Sequence, residues 1–140
     1  MNRWKRRSKW AAGFGVAAAY FALAEWSKHS YVDQVPKGKV VIQLFRPFQM
    51  HEHVAISNLR PAERLRSFAD DENVENDTQS PVVIYENQKP LGPAHSTYAD
   101  IRDYGMGRFS FGRHQGFVFT ASDNSDPSTN GRTYWAVIPE

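Results

Sequence analysis

The spacing of hydrophobic positions along this 140-residue chain changes twice. Residues 10–24 (WAAGFGVAAAYFALA) form one uncharged apolar run that ends at Glu25, and residues 27–38 are polar, with Pro36-Lys37-Gly38 as a turn signal. From Lys39 onward, short apolar runs are separated by Gly, Pro, Asn and Asp, the pattern of strands joined by turns. Lys39–Phe45 (KVVIQLF) predicts a strand buried on both faces or nearly so. His53–Leu59 predicts a second, with Val54 and Ile56 pointing one way and Ala55 and Ser57 the other, as when one face packs and the other is wet. Residues 61–68 place Pro at a first helical position with Leu65 and Phe68 at helical spacing, which predicts one or two turns of helix. Residues 70–79 (DDENVENDTQ) read as a solvated acidic loop.

The second half is turn-rich. Val82–Glu86 predicts a strand, 87–92 a reversal, and Thr97–Tyr104 a short helix capped by Ser96 and ended by Gly105. Residues 108–111 and 117–122 predict the arms of a hairpin across Gly112–Gly116, with Phe109 and Phe111 on one face and Phe117 and Phe119 on one face of the partner. A loop over 123–131 ends in Asn-Gly and turns the chain into a last strand, 132–138. About six antiparallel strands with two short helical insertions imply a mainly β domain, a β-sandwich or jelly roll. The sequence thus divides into an N-terminal segment (1–26), a tether (27–38) and a β domain (39–140).

Composition narrows the class. Hydrophobic residues at 41%, charged at 23% and 19 aromatics (Trp 4, Tyr 6, Phe 9) are too apolar for a disordered chain. The absence of cysteine excludes disulfides, thiolate metal sites and cysteine nucleophiles together. The formal net charge of +2 is misleading, because Arg3, Lys5, Arg6, Arg7 and Lys9 carry five of the 17 basic residues. The twelve that remain face 15 acidic residues, so positions 10–140 carry −3 and offer no basic face for nucleic acid.

A basic tag before an apolar run is a membrane-targeting pattern that keeps the N-terminus cytoplasmic and exports the rest of the chain. As a retained anchor it has Trp10 and Trp26 at its two ends, with Gly13 and Ala17 four apart for close helix approach. A helix from Lys9 to Trp26 spans roughly 27 Å against a hydrocarbon core of about 30 Å. As a signal peptide the segment offers Ala22-Leu23-Ala24, with cleavage after Ala24.

Tyr85-Glu86, residues 89–93 (KPLGP), His95-Ser96, Asp100-Ile101, residues 107–110 (GRFS), residues 122–127 (SDNSDP), residues 129–132 (TNGR) and Tyr134 stand in this order between positions 85 and 134. This stretch resembles a bacterial module at the ends of glycosyltransferases, methyltransferases and related envelope-polysaccharide proteins. The resemblance implies a cell-envelope or carbohydrate setting and no reaction. The chain departs from that pattern in carrying no transferase domain and in starting with an apolar segment.

The candidate ligand-binding residues are His95, Arg108, Arg113, Asp123, Asp126, Asn130 and Arg132 at strand ends and loops, with Tyr98, Tyr104 and Trp135 as an aromatic platform for a sugar ring. The competing reading is structural: Asp123, Asp126 and Asn130 cap turns while Arg108 and Arg132 pair with them. Metal readings fail on spacing. Asp126-x-Ser128-x-Asn130-Gly131 opens like a calcium loop, but the twelfth position is Val137 instead of a bidentate Glu. His51 and His53 would share a strand face, yet no third ligand is near. Serine catalysis lacks a Gly-x-Ser-x-Gly elbow, and Ser110 has no assigned base. No phosphate loop or dinucleotide fingerprint is present, so no cofactor is expected. The expected function is a non-enzymatic, single-pass bacterial inner-membrane protein whose periplasmic β-sandwich binds a glycan or a protein partner in envelope-polysaccharide assembly. The alternatives are an accessory subunit of a larger membrane complex, and a small hydrolase using His95 with Asp100 or Asp123.

Overall fold

The computed structural model describes the backbone of residues 3–30, 35–58, 60 and 63–140, and within the first helix the side chains of residues 15–28. The chain forms two compact units, Met1–Asp33 and Gln34–Glu140. The first contains helix α1 (Arg3–Ser30), which runs four residues past the expected end at Trp26. Its described side chains are exposed apart from a half-buried Ala24, with Val16 at 72%, Phe21 at 67% and Leu23 at 64%. Ala17 and Trp26 are among the exposed ones, while the side chains of Trp10 and Gly13 lie outside the described residues. Among the described residues no helix is long and apolar enough to cross a membrane.

The second unit consists of β1 (Val40–Leu44), β2 (Gln49–His51), β3 (Val54–Ser57), a 3-10 helix (Glu63–Phe68), β4 (Val83–Glu86), β5 (Lys89–Pro90), α2 (Tyr98–Asp103), β6 (Phe109–Gly112), β7 (Gly116–Phe119) and β8 (Tyr134–Ile138). The strands form two four-stranded antiparallel sheets, ordered β1-β8-β4-β5 and β2-β3-β7-β6, which make a β-sandwich. Register decides what each face carries. Ile42, Ala136 and Ile84 form an inward row of the first sheet. Ala55, Phe119 and Phe109 form the facing row of the second, followed by Ser57, Phe117 and Phe111. Phe48, Phe119 and Tyr134 close the gap between sheets, with ring centroids 5.0–6.0 Å apart, and Phe111 stacks on Phe117 at 4.0 Å. Each such ring contributes about 1.5–3 kcal/mol through burial.

The predicted hairpin of β6 and β7 forms, and its register sets Phe109 opposite Phe119 and Phe111 opposite Phe117. Other expectations change. β3 has no wet face: Val54 and Ala55 are fully buried and Ser57 is 5% exposed. The reason is α2, whose Ile101 packs on Val54, Ile56 and Val118 across the outer side of the second sheet. β1 is half-buried except at Leu44, since its outer face is only partly covered. The predicted tether ends early, because Pro36 is buried and a Cβ at Gly38 would strike Val137 and the Ile138 carbonyl. Residues 35–38 therefore belong to the β unit. The predicted end of the second strand at Leu59 and the start of the next helix at 61–62 lie outside the described residues. α2 is capped by Thr97, whose Oγ1 accepts the Asp100 N–H at 3.1 Å, while Ser96 Oγ donates to the Pro93 carbonyl.

Candidate functional site

Two loops gather most of the polar chemistry. The first spans residues 122–133. Glu86 ends β4 on the inward row and is 6% exposed, which would be costly for an unpartnered carboxylate. It accepts from Ser122 Oγ at 2.6 Å, the Ser122 N–H at 3.2 Å, Tyr134 Oη at 3.0 Å and Arg132 Nη1 at 3.1 Å. The Arg132 fork also grips Asp123, at 2.8 and 2.6 Å. Asn130 donates to Tyr134 Oη and Ser125 Oγ, and Ser125 donates to Asp123. Burial alone would raise the Glu86 carboxyl, but these donors outweigh it and hold it below the ordinary value. The Arg132 guanidinium and then Ser125 lower Asp123, and Asp123 and Glu86 raise Arg132 in return. Burial, with Glu86 beside it, raises Tyr134. Asp126 caps its own turn by accepting the Ser128 N–H at 2.7 Å. Ser128 Oγ accepts the Phe48 N–H, and Arg46 donates to the carbonyls of Ser128 and Arg132, which fastens the β1–β2 connection. Each main polar group here is spoken for.

The second loop is the acidic run, and it is built, not merely solvated. Asp77 Oδ2 accepts the Asp71 N–H at 2.7 Å, and Asp71 Oδ1 accepts from Asn73. Glu72 Oε1 accepts the N–H groups of His114 and Gln115 at the tip of the β6–β7 hairpin, at 2.8 and 3.1 Å. Hydrogen bonds from Asn73, with Arg113 contributing, hold Asp71 below the usual carboxylate range. Burial opposes the same shift at Glu72, but the two hairpin amides prevail. Asp70 is fixed on both sides, its N–H donating to the Phe111 carbonyl and its carbonyl accepting from Arg113. Its Oδ1 accepts the Ser80 N–H at 2.8 Å, and its Oδ2 meets His95 Nδ1 at 2.6 Å. The His95 side chain is 25% exposed and that of Asp70 13%. His95 has a left-handed backbone (φ 56), a conformation uncommon outside glycine. Between this loop, the start of α2 and β6 lies a groove of about 330 Å³. Asp71, Asn76, Thr97, Tyr98, Ser110 and Gln115 line it together with the Asp70–His95 pair.

The predicted ligand residues therefore do not form one site. Asp123, Asn130 and Arg132 come together, as the turn-capping reading expects, and Asp126 caps beside them. Arg108 is not part of that pairing, since it donates to the Gly105 carbonyl and lies 5.2 Å over the Tyr104 ring. Arg113 reaches Asp71 at 3.3 Å. His95 and Tyr98 are in the groove. Trp135 lies elsewhere, on the outer face of the first sheet between Gln43 and Tyr85, so the aromatic platform of Tyr98, Tyr104 and Trp135 does not assemble. His51 and His53 do not share a strand: Glu52 (φ 56) turns the chain between β2 and β3. Among the described residues no group of three or more His, Cys, Asp or Glu side chains is placed to hold a metal ion. The pairing of His95 with Asp100 or Asp123 is corrected to Asp70. Sequence reasoning misses Asp70 and Glu86, because their partners lie 25 and 46 residues away.

Comparison of the chain with protein-family models, with curated proteins and with solved structures gives no match.

Proposed function

We propose that the β-sandwich binds a glycan in the groove beside Asp70 and His95, at the periplasmic side of a bacterial inner membrane to which the N-terminal segment tethers it. The observation that carries this reading is the lining of the groove. Residues with amide, hydroxyl and carboxylate side chains, Asn76, Gln115, Thr97, Ser110 and Asp71, line it beside Tyr98, which is 40% exposed. Sugars need this mixture, planar polar groups for vicinal hydroxyls and a ring for the apolar face. The resemblance of residues 85–134 to a module of envelope-polysaccharide proteins supports the same setting. The basic residues before the apolar run support a membrane tether with a cytoplasmic N-terminus.

Calorimetric titration of the full chain in mild detergent with envelope oligosaccharides tests the ligand. Saturable binding is expected, weakened at least tenfold in Tyr98→Ala and unchanged in Trp135→Ala. Absence of saturable binding to every oligosaccharide tested removes the reading. A periplasm-active reporter fused after Glu140 tests the topology, and a reporter active in the cytosol overturns it. Intact mass separates a retained tether from cleavage after Ala24. The accessory-subunit reading is favoured by the exposed apolar side chains of α1 beside the small residues Gly15, Ala17 and Ala19. Co-purification of a stoichiometric membrane partner would support it over a lone anchor.

A further inference from the structure

We propose that Ser110, His95 and Asp70 form a nucleophile, base and orienting carboxylate that hydrolyse a short O-acyl ester. The sugar as carrier of that ester rests on the glycan reading above; the chemistry does not. Three observations converge. Asp70 holds His95 Nδ1 at 2.6 Å, and the other ring nitrogen has no partner among the described residues. A carboxylate on Nδ1–H fixes the tautomer in which Nε2 is free to accept a proton. The elements that carry the pair are both pinned to the strand that carries the serine: the Ser96 N–H donates to the Phe109 carbonyl at 3.1 Å and the Asp70 N–H to the Phe111 carbonyl at 2.9 Å, on either side of Ser110. Ser110 and His95 line the same groove.

The hydroxyls of that groove are not equivalent. Ser96 Oγ donates to a carbonyl and Thr97 Oγ1 caps α2, whereas Ser110, half-buried on β6, makes no side-chain hydrogen bond among the described residues. A base and a nucleophile that share a cleft without touching are compatible with a site that tightens only around substrate. In the first step Ser110 Oγ bonds to the acyl carbon while its proton passes to His95 Nε2. The bond from acyl carbon to alcohol oxygen breaks, and that oxygen leaves with the proton from Nε2. Water then loses a proton to Nε2 and attacks the acyl-serine, which releases the carboxylic acid and returns the proton to Oγ. Asp71, Glu72 and Asp77 around the groove disfavour an anionic substrate and repel the carboxylate product. The volume suits a neutral, short-chain ester on a single sugar unit.

A fluorophosphonate probe applied to the full chain, with peptide mass mapping, tests the assignment. The expected result is a label on Ser110, absent in Ser110→Ala and formed at least tenfold more slowly in His95→Ala and Asp70→Asn. Because Asp70 acts through His95, the pH profile of labelling should also change in Asp70→Asn and recover in part in Asp70→Glu, which loss of packing alone would not produce. Thermal unfolding of each variant establishes that it is folded. No label on Ser110 of the folded protein, or labelling indifferent to His95, overturns the triad even where wild-type glycan titration succeeds. A Ser110 label in a chain that binds no glycan keeps the triad and removes the sugar ester.

Discussion

The two polar loops of the β unit are built by the same local chemistry and end differently. Each uses Asx turns, and each is anchored by a carboxylate at a strand end or edge: Glu86 for 122–133, Asp70 for 70–79. Around Glu86 the donors and acceptors cancel, with a hydroxyl, an amide, a phenol and a guanidinium on one carboxylate. Around Asp70 the balance is incomplete. One imidazole nitrogen, a strand serine and an exposed tyrosine are left facing a groove. Buried networks that are fully satisfied specify a fold, whereas unused hydrogen-bonding capacity at a rigid cleft is what a ligand can take up. By that criterion the loop richest in predicted ligand residues carries a closed hydrogen-bond network, and the loop expected to be plain solvent-facing chain lines the proposed groove.

The contrast should be largest in stability. Glu86→Ala removes the acceptor of the Tyr134 hydroxyl and one of the two carboxylates that hold Arg132, and should cost about 2–3 kcal/mol. His95→Ala removes one partly exposed pair and should cost about 1 kcal/mol. Urea denaturation measures both, and equal losses would erase the distinction. Next in size is the pH response. The folded carboxyls of Glu86 and Asp123 lie below their unfolded values. Their contribution is therefore present above the ordinary carboxylate range and lost as pH falls through the depressed folded values. Stability should decline on acidification below about pH 4.5. The raised Tyr134 works in the opposite sense, adding a loss above about pH 10 as unfolded tyrosine ionises. Glu86→Gln should flatten the acid limb, and an unchanged limb would place the titrating groups elsewhere. The most local effect is expected at Gly112→Ala, where the new Cβ meets the Glu72 carboxyl and displaces it from the hairpin amides. Hydrogen exchange at His114 and Gln115 should accelerate about tenfold, equivalent to about 1.4 kcal/mol, while the Glu86 network keeps its protection.

What the sequence makes legible is local. The phenylalanines at 109, 111, 117 and 119 alternate across a glycine-bounded reversal, and pattern alone yields the hairpin and the face they share on each arm. β8 is legible for the same reason. β5 is not, because Lys89–Pro90 is two residues long and has no periodicity, and β2 is a polar three-residue edge whose partner is defined by a left-handed Glu52. Packing on both sides of β3 depends on Ile101, more than forty residues away. The acidic loop reads as solvated because its partners are backbone amides at 114 and 115, and an amide carries no sequence signature. Glu86 looks like any strand-end glutamate until Arg132 and Tyr134 arrive from β8 and its approach. Of the candidate site, His95 and Tyr98 are legible as ligand-type residues, and Asp70, the partner that gives His95 a direction, is not.

The decisive question is which of the two loops meets the ligand. Amide chemical-shift mapping of the isotope-labelled full chain during titration with an envelope oligosaccharide answers it residue by residue. Tyr98, Ser110 and Gln115 should shift and saturate together, while Asp123, Asn130 and Arg132 stay in place. The reverse pattern, with the 122–132 signals moving and those around His95 still, would contradict the assignment of the groove as the binding site.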